Sequence, residues 1–524
     1  GASSGPSSTA DWTAEGDQAS AYFGSKVATA GDVNGDGYSD VIIGAPGMGS
    51  GGAAYVYFGS ASGLSSSPDW SDTGDQSGCQ FGYAVGTAGD VNGDGYSDIL
   101  ITAAFYDKGQ TDEGRAYVYH GSASGPGSSP DWDAESDVTD WHFGLAAATA
   151  GDVNGDGYSD VIIGANAGDS DHADKGKVFV YHGSSSGLGS TAAWTAQSDQ
   201  ADSRFGAAVN TAGDVNGDGY SDVIVGAFYY DHPENGEGMA FVYHGSSSGL
   251  SASANWSAES NLAIAAFGGS VGTAGDINGD GYADVVVGAR LFTDGQTYEG
   301  AGYVYEGSAT GLATSPVWTW ASNNTQAHFG TAARTAGDVN GDGFSDVIFG
   351  ANGYTNGQSE EGRAFLYYGT PSGLSDTSAQ WQNESNQSSS YYGVSVGDAG
   401  DVNGDGFSDV IIGASYYDNG QTDEGKVFVY HGSEDGPDTT ADWTAEGGGA
   451  ETYFGSAVAT AGDVNGDGYG DVIIGANNYQ PTGGIITTGK VVVHFGSSSG
   501  LSATADWSES GDQDDCTFGY AVGT

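Results

Sequence analysis

The sequence predicts an all-β chain folded as a β-propeller of about eight four-stranded antiparallel blades. Three observations predict it: an acidic loop that recurs eight times, strand-length apolar runs between the loops, and no helical periodicity. The segment Gly31-Asp-Val-Asn-Gly-Asp-Gly-Tyr-Ser-Asp40 returns with its first Asp at 32, 90, 152, 214, 276, 338, 401 and 463. A repeat of about 62 residues holds four strands, whereas the coils of a linear β-solenoid are usually much shorter. One propeller is therefore expected over residues 1–524, with partial repeat segments at 1–22 and 511–524.

Each unit reads in the same order. A first strand starts at an aromatic-Gly pair (Phe23-Gly24, then Phe81, Phe143, Phe205, Phe267, Phe329, Tyr392 and Phe454) and runs into the acidic loop. The second, as in Val41-Ile42-Ile43-Gly44, is continuously apolar and suits a strand buried on both faces. The third alternates, as in Val178-Phe179-Val180-Tyr181, and suits a sheet with two different faces. The fourth carries a Trp after a Gly-Ser-rich turn: Trp12, Trp70, Trp132, Trp194, Trp256, Trp318, Trp381, Trp443 and Trp507. The Trp and aromatic-Gly positions are expected to pack between blades. Residues 1–29 and 496–524 are the same part of the repeat, of which a closed eight-blade ring needs one copy. One copy stays outside the ring, or the chain is a window of a longer array, or the ends pair with those of another chain.

Composition narrows function. Sixty-nine Asp and Glu against 11 Lys and Arg give a formal charge of −58, which argues against binding nucleic-acid phosphates. Hydrophobic residues at 38% are enough for a large core. No run of about 18 apolar residues appears, so direct membrane insertion is not expected. Cys79 and Cys516 occupy the same repeat position and form neither a disulfide framework nor a zinc or redox motif; two buried or idle thiols are expected, with pairing between chains as the alternative.

The acidic loop reads as a calcium site. In D-x-N-x-D-G-x-x-D, side chains at positions 1, 3, 5 and 9 offer only oxygen, and the carbonyl at position 7 completes the shell. Hard oxygen donors in a flexible loop suit Ca²⁺. The first set is Asp32, Asn34, Asp36, the Tyr38 carbonyl and Asp40; the second is Asp90, Asn92, Asp94, Tyr96 and Asp98. Then follow Asp152, Asn154, Asp156, Tyr158 and Asp160; Asp214, Asn216, Asp218, Tyr220 and Asp222; and Asp276, Asn278, Asp280, Tyr282 and Asp284. The last three are Asp338, Asn340, Asp342, Phe344 and Asp346; Asp401, Asn403, Asp405, Phe407 and Asp409; and Asp463, Asn465, Asp467, Tyr469 and Asp471. About eight Ca²⁺ are expected, contributing to folding. An EF-hand is rejected, since position 12 lacks an acid and a strand follows instead of a helix. A calcium demand of this size points outside the cytoplasm, to a secreted or surface protein.

These residues resemble the FG-GAP repeats of the integrin alpha subunit propeller and its bacterial relatives, whose signature combines Phe23-Gly24, the Asp32–Asp40 loop and Gly44-Ala45-Pro46. The resemblance implies a calcium-stabilised propeller for adhesion or ligand binding, with calcium on the face opposite the principal ligand surface. Later units depart from Gly-Ala-Pro, as at Gly164-Ala165-Asn166, and eight units exceed the seven of integrin-like propellers.

On that opposite face, loops between second and third strands carry aromatic and acidic residues: Tyr106, Asp107, Tyr229, Tyr230, Asp231, Phe292, Tyr354, Tyr416 and Tyr417, with Tyr479. Exposed rings beside carboxylates suit sugars or cationic groups. The sequence reading is thus a non-catalytic binding module for an extracellular protein or glycan. Two alternatives stand beside it: a structural subunit joined head to tail with itself through the end segments, and a polysaccharide lyase or other carbohydrate-active enzyme. His120, His182, His244 and His431 each end a third strand, a structural placement. His232, beside Tyr230 and Asp231, is the nearest approach to a general-base cluster.

Overall fold

The computed structural model describes residues 13–16, 26–166, 174–374, 378–478, 490–511 and 521–523. Its regular elements are strands, in eight sheets whose four repeat strands pair antiparallel in chain order. Numbering blades by their acidic loops, blade 2 comprises Phe81–Gly89, Asp98–Ala103, Arg115–Tyr119 and Trp132–Glu135, and blade 4 comprises Ala208–Gly213, Asp222–Ala227, Met239–Tyr243 and Trp256–Glu259. The first strands line a central channel, where Ala28, Gly86, Ala148, Asn210 and Arg334 meet. Every second strand is buried along its whole length, as the unbroken apolar runs require. The ring closes where Val27, Val41 and Ile43 of blade 1 pack with Ala461, Val464 and Ile473 of blade 8.

The end segments add strands to two different blades. Thr13–Gly16 pairs parallel with Trp507–Gly511 at the edge of blade 8, and Ala521–Gly523 pairs parallel with Lys26–Gly31 of blade 1. Of the residues singled out in the sequence, Trp12, Phe23-Gly24, Tyr479 and Cys516 lie outside the described residues.

The first strand begins at the aromatic in blades 2, 5 and 8, but at Ala146, Ala208, Ala332 and Ser395 in blades 3, 4, 6 and 7. In all of these the aromatic's backbone is engaged by the preceding blade: Phe143 donates its N–H to Glu113 O at 3.1 Å, and Phe81 to Gly51 O at 2.8 Å. Its ring fills the inter-blade core, as Phe81 does beside Trp70, Ile99 and Tyr117.

A second tie repeats around the ring. In blades 1 to 6 the Trp of the fourth strand meets a tyrosine of the next blade's third strand edge-on, Trp70 with Tyr119 at 4.8 Å and Trp194 with Tyr243 at 4.7 Å. The indole N–H of Trp70, Trp132, Trp194, Trp256, Trp381 and Trp443 also reaches a carbonyl in the next blade's turn, Trp132 to Gly189 O at 2.8 Å and Trp256 to Ala313 O at 2.8 Å. The third-strand histidines also bind blade to blade. A Cβ on Gly187, whose φ is +86°, would stand 2.6 Å from the His120 ring, so only glycine fits beneath it.

Between blades 7 and 8 the Trp partner is a histidine: Trp443 meets His494 at 4.6 Å, and His494 Nδ1 donates to Ser502 O at 3.1 Å. Burial pushes the imidazole down to about 4. Because the folded chain binds this proton less readily than the unfolded chain, with its ordinary value near 6.5, this contribution is complete above about pH 6.5 and is lost as pH falls towards 4. Urea unfolding between pH 7 and 4 is expected to show an acid loss of up to about 3 kcal/mol that is absent in His494→Tyr, which restores the aromatic used by the other described blade pairs.

Candidate functional site

Each acidic loop starts from a tight Asx-rich turn, because its polar side chains are short enough to cap the backbone N–H groups the turn exposes. In the first loop Asp32 Oδ1 accepts from the Gly35 and Asp36 N–H groups at 2.6 and 3.1 Å, and Oδ2 from Gly37 at 2.9 Å. Asn34 Oδ1 accepts from Asp36 N–H at 2.9 Å, and Asp36 Oδ1 from Tyr38 N–H at 3.1 Å. Blade 4 repeats every contact with Asp214, Asn216 and Asp218.

The ninth position differs. Asp40, Asp98, Asp160, Asp222, Asp284, Asp346, Asp409 and Asp471 are fully buried. Asp40 Oδ2 accepts from Val33 N–H at 2.8 Å, inside the loop, while Oδ1 accepts from Gly59 N–H at 2.8 Å, just past the third strand. One carboxylate therefore pins the loop to the far side of its blade. Desolvation outweighs these bonds and pushes the Asp40 and Asp222 carboxyls up to about 7 and that of Asp98 to about 6.

The loops also hold one another. The N–H at position 8 donates to the position-1 carbonyl of the preceding loop: Ser97 to Asp32 at 2.9 Å, Ser159 to Asp90 at 2.9 Å, and finally Ser39 back to Asp463 at 3.2 Å. The ring of Tyr96 lies against Gly35 of the preceding loop, where a Cβ would stand 2.4 Å from it and φ is +72°. The position-7 aromatic, singled out in the sequence for its carbonyl, thus has a packing role that sequence reasoning missed; its recurrence as Tyr or Phe was the signal.

The donor set is all oxygen, with two exposed or half-exposed carboxylates and one buried one, which is the chemistry of a hard cation's shell. Among the described residues the three Asp of a loop stand wider apart than a closed ligand cluster; the trio of acid or histidine donor atoms gathered within 4.8 Å of one another is elsewhere, at His232, Glu237 and Glu259.

On the opposite face the aromatic set divides in two. Tyr229 is 45% exposed and Tyr416 is 36% exposed, the latter beside Tyr453 at 4.6 Å. Tyr106, Tyr354 and Tyr417 lie beneath Arg115, Arg363 and Lys426 at 4.9, 4.5 and 5.2 Å, while Tyr230 and Phe292 pack on Phe241 and Tyr303. Asp107 and Asp231 cap their own loops, accepting from Asp112 and Gly236 N–H at 2.6 Å each. His232 does not join Tyr230 and Asp231: its Nδ1 meets Glu259 Oε2 at 2.7 Å, and Tyr230 donates to Asp199 at 2.8 Å.

Sequence reasoning also missed a row of buried glutamates in these loops, Glu113, Glu237, Glu299, Glu361 and Glu424. The signal was the Glu-Gly pair before the third strand, as at Glu113-Gly114 and Glu237-Gly238. Burial pushes the Glu237 carboxyl up to about 7.

The fold and loops define an eight-bladed propeller whose blades are stitched through acidic turns on one face. The chain belongs to the FG-GAP repeat family, whose repeat matches residues 23–57, 81–119, 143–181, 205–243, 267–305, 329–367, 393–430 and 454–493. It is similar to integrin alpha-PS2 of Drosophila melanogaster, at 34% identity over 40% of this chain and 15% of that protein, and to integrin alpha-8 of Gallus gallus, at 34% over 42% and 21%. The chain thus spans about a fifth or less of these relatives' length. Among solved structures, an exotype rhamnogalacturonan lyase, YesX, aligns over 95% of this chain and 84% of its own, with 10% identity and a TM-score of 0.44, too distant to bear on chemistry.

In chelator, Asp222→Ala is expected to destabilise the fold by roughly 2–6 kcal/mol, since two buried N–H groups lose their acceptor. Asp218→Ala, at an exposed position, is expected to cost well under half of that. Denaturant unfolding of both variants checks the difference.

Proposed function

We propose that this chain is an extracellular, calcium-stabilised propeller that binds a protein or glycan ligand on the face opposite its acidic loops, without catalysis. One observation carries the reading: eight loops each present the same oxygen donors, and the bonds between loops run from blade to blade around the ring. Calcium held by Asp32, Asn34, Asp36, the Tyr38 carbonyl and Asp40, and by their counterparts, would supply the positive charge that the buried carboxyl lacks. The similarity to integrin alpha chains supports an adhesive, cell-surface or secreted setting. No helix among the described residues is long and apolar enough to cross a membrane.

The division of the opposite face favours Tyr229 and Tyr416 as contact residues, because their rings stay exposed while resting on Phe228 and on Tyr391 and Tyr453, whereas the other aromatics are committed to the blades. A ligand docking there would find acidic surroundings, which suits a cationic protein surface or a neutral sugar.

Calorimetric titration of chelated protein is expected to show about eight Ca²⁺ bound per chain. Each site should add about 2.7 kcal/mol to unfolding at a free concentration one hundred times its Kd. Unfolding that is indifferent to calcium would sink the reading. For the ligand face, a glycan array and a panel of immobilised matrix proteins in calcium buffer are expected to yield a partner whose binding falls at least tenfold in Tyr229→Ala or Tyr416→Ala at unchanged thermal stability. Turnover of an acidic polysaccharide in the same assays would instead favour the lyase alternative.

A further inference from the structure

We propose that blade 4 carries a binding site for one divalent transition metal of the Zn²⁺ class, formed by His232 Nδ1 and the carboxylates of Glu237 and Glu259. The argument starts from what the other blades do with the same positions. In blades 5 and 6 the buried glutamate is capped through Oε1 by the backbone N–H five residues earlier: Asp294 to Glu299 at 2.7 Å and Asn356 to Glu361 at 2.6 Å. Lys108 and Asn419 cap Glu113 and Glu424 in blades 2 and 7 in the same way.

Blade 4 breaks this pattern. Glu237 is fully buried, and neither of its carboxylate oxygens has a hydrogen-bond partner. The N–H that should cap it belongs to His232; it still lies near enough to favour the ionised Glu237, but it is out of hydrogen-bonding geometry with that carboxylate and donates to Glu234 O at 3.3 Å. Glu234 adds a further buried and unpartnered oxygen, Oε2.

A second departure removes the compensating charge. In blades 6 and 7 the first residue of the third strand is a cation facing a fourth-strand acid: Arg363 pairs in register with Glu384, and Lys426 with Glu446, where Lys Nζ stands 2.8 Å from the carboxylate. In blade 2 Arg115 likewise binds Asp133. Blade 4 keeps the acid, Glu259, but sets Met239 opposite it. Two carboxylates therefore share a half-buried site with no lysine or arginine in the position that serves blades 2, 6 and 7. A buried, unpaired carboxylate is costly unless a cation balances it.

The donor atoms suit a metal. His232 Nδ1, Glu237 and Glu259 all lie within 4.8 Å of one another, with Nδ1 to Glu259 Oε2 at 2.7 Å. Ligands about 2.1 Å from a tetrahedral ion stand roughly 3.4 Å apart, within reach of small side-chain rotations. An imidazole nitrogen beside two carboxylates selects a borderline ion over Ca²⁺, which prefers oxygen alone. The His232 side chain is 60% exposed, so the ion has a path from solvent and room for water in its coordination shell. Binding requires neutral imidazole and ionised carboxylates, so the proton shared in the His232–Glu259 contact leaves to solvent as the metal enters.

The test uses the full chain in millimolar calcium, so that the acidic loops are filled before Zn²⁺ is added. Calorimetric titration with ZnCl₂ is expected to show one saturable site per chain, and Co²⁺ in its place should give a visible absorption band of a nitrogen-ligated ion. His232→Ala, at an exposed side chain, and Glu237→Gln, of the same shape, should each weaken Zn²⁺ at least tenfold while the calcium response stays intact. Met239→Lys, which installs the cation of blade 7, should abolish Zn²⁺ binding and raise thermal stability. Absence of a saturable Zn²⁺ site in the calcium-loaded protein, or a site of unchanged affinity in His232→Ala and Met239→Lys, overturns the proposal whatever the loops do with calcium.

Discussion

The buried aspartate at the end of each acidic loop is the constraint on which the ring depends. Asp40 and its seven counterparts each lie where water is excluded, and those such as Asp40 and Asp222 grip their own loop with one oxygen and the far side of the blade with the other. A loop so held presents its first carbonyl to the next blade, and the chain of Ser97-to-Asp32 bonds and their equivalents returns through Ser39 to Asp463. Local turn chemistry, burial of a charge and closure of the whole torus are therefore one arrangement. A cation close to the loop would stabilise the ionised carboxylate that burial disfavours, which links ion binding to the geometry of the ring.

The two faces of the propeller divide the labour. On the loop face the repeats are nearly identical because each loop must fit its neighbour: the position-7 ring needs the glycine before it, and the position-8 amide needs the carbonyl before it. On the other face, loops between second and third strands only have to cover the blade ends, so their residues vary. There the same backbone frame carries Arg115 over Tyr106, Lys426 over Tyr417, or Met239 with a histidine and two glutamates. Variation on a fixed frame is how repeat folds acquire individual sites.

Much was legible in advance because the repeat exposes it. Blade number, strand order, the buried second strand and the inter-blade place of Trp and Phe follow from period and pattern, since each blade must bury the same surfaces. The oxygen-rich loop was equally plain from residue type and spacing. What spacing could not convey was the division of labour inside the loop, where the first and fifth carboxylates cap the turn and keep contact with solvent while the ninth is wholly enclosed. The Glu-Gly pairs mark the buried glutamates without showing what surrounds them, and chain order sets His232 beside Tyr230 and Asp231, whereas its partner Glu259 lies a whole strand further on.

The sequence by itself determined the propeller, its eight blades and the chemistry of its acidic loops, because these depend on local composition repeated at a fixed period. Only the tertiary structure decided which aromatics stay exposed, which carboxylates are buried, and how the end segments pair with the blades. Those outcomes depend on which side chains adjacent blades bring together across dozens of residues, and on the water their packing excludes.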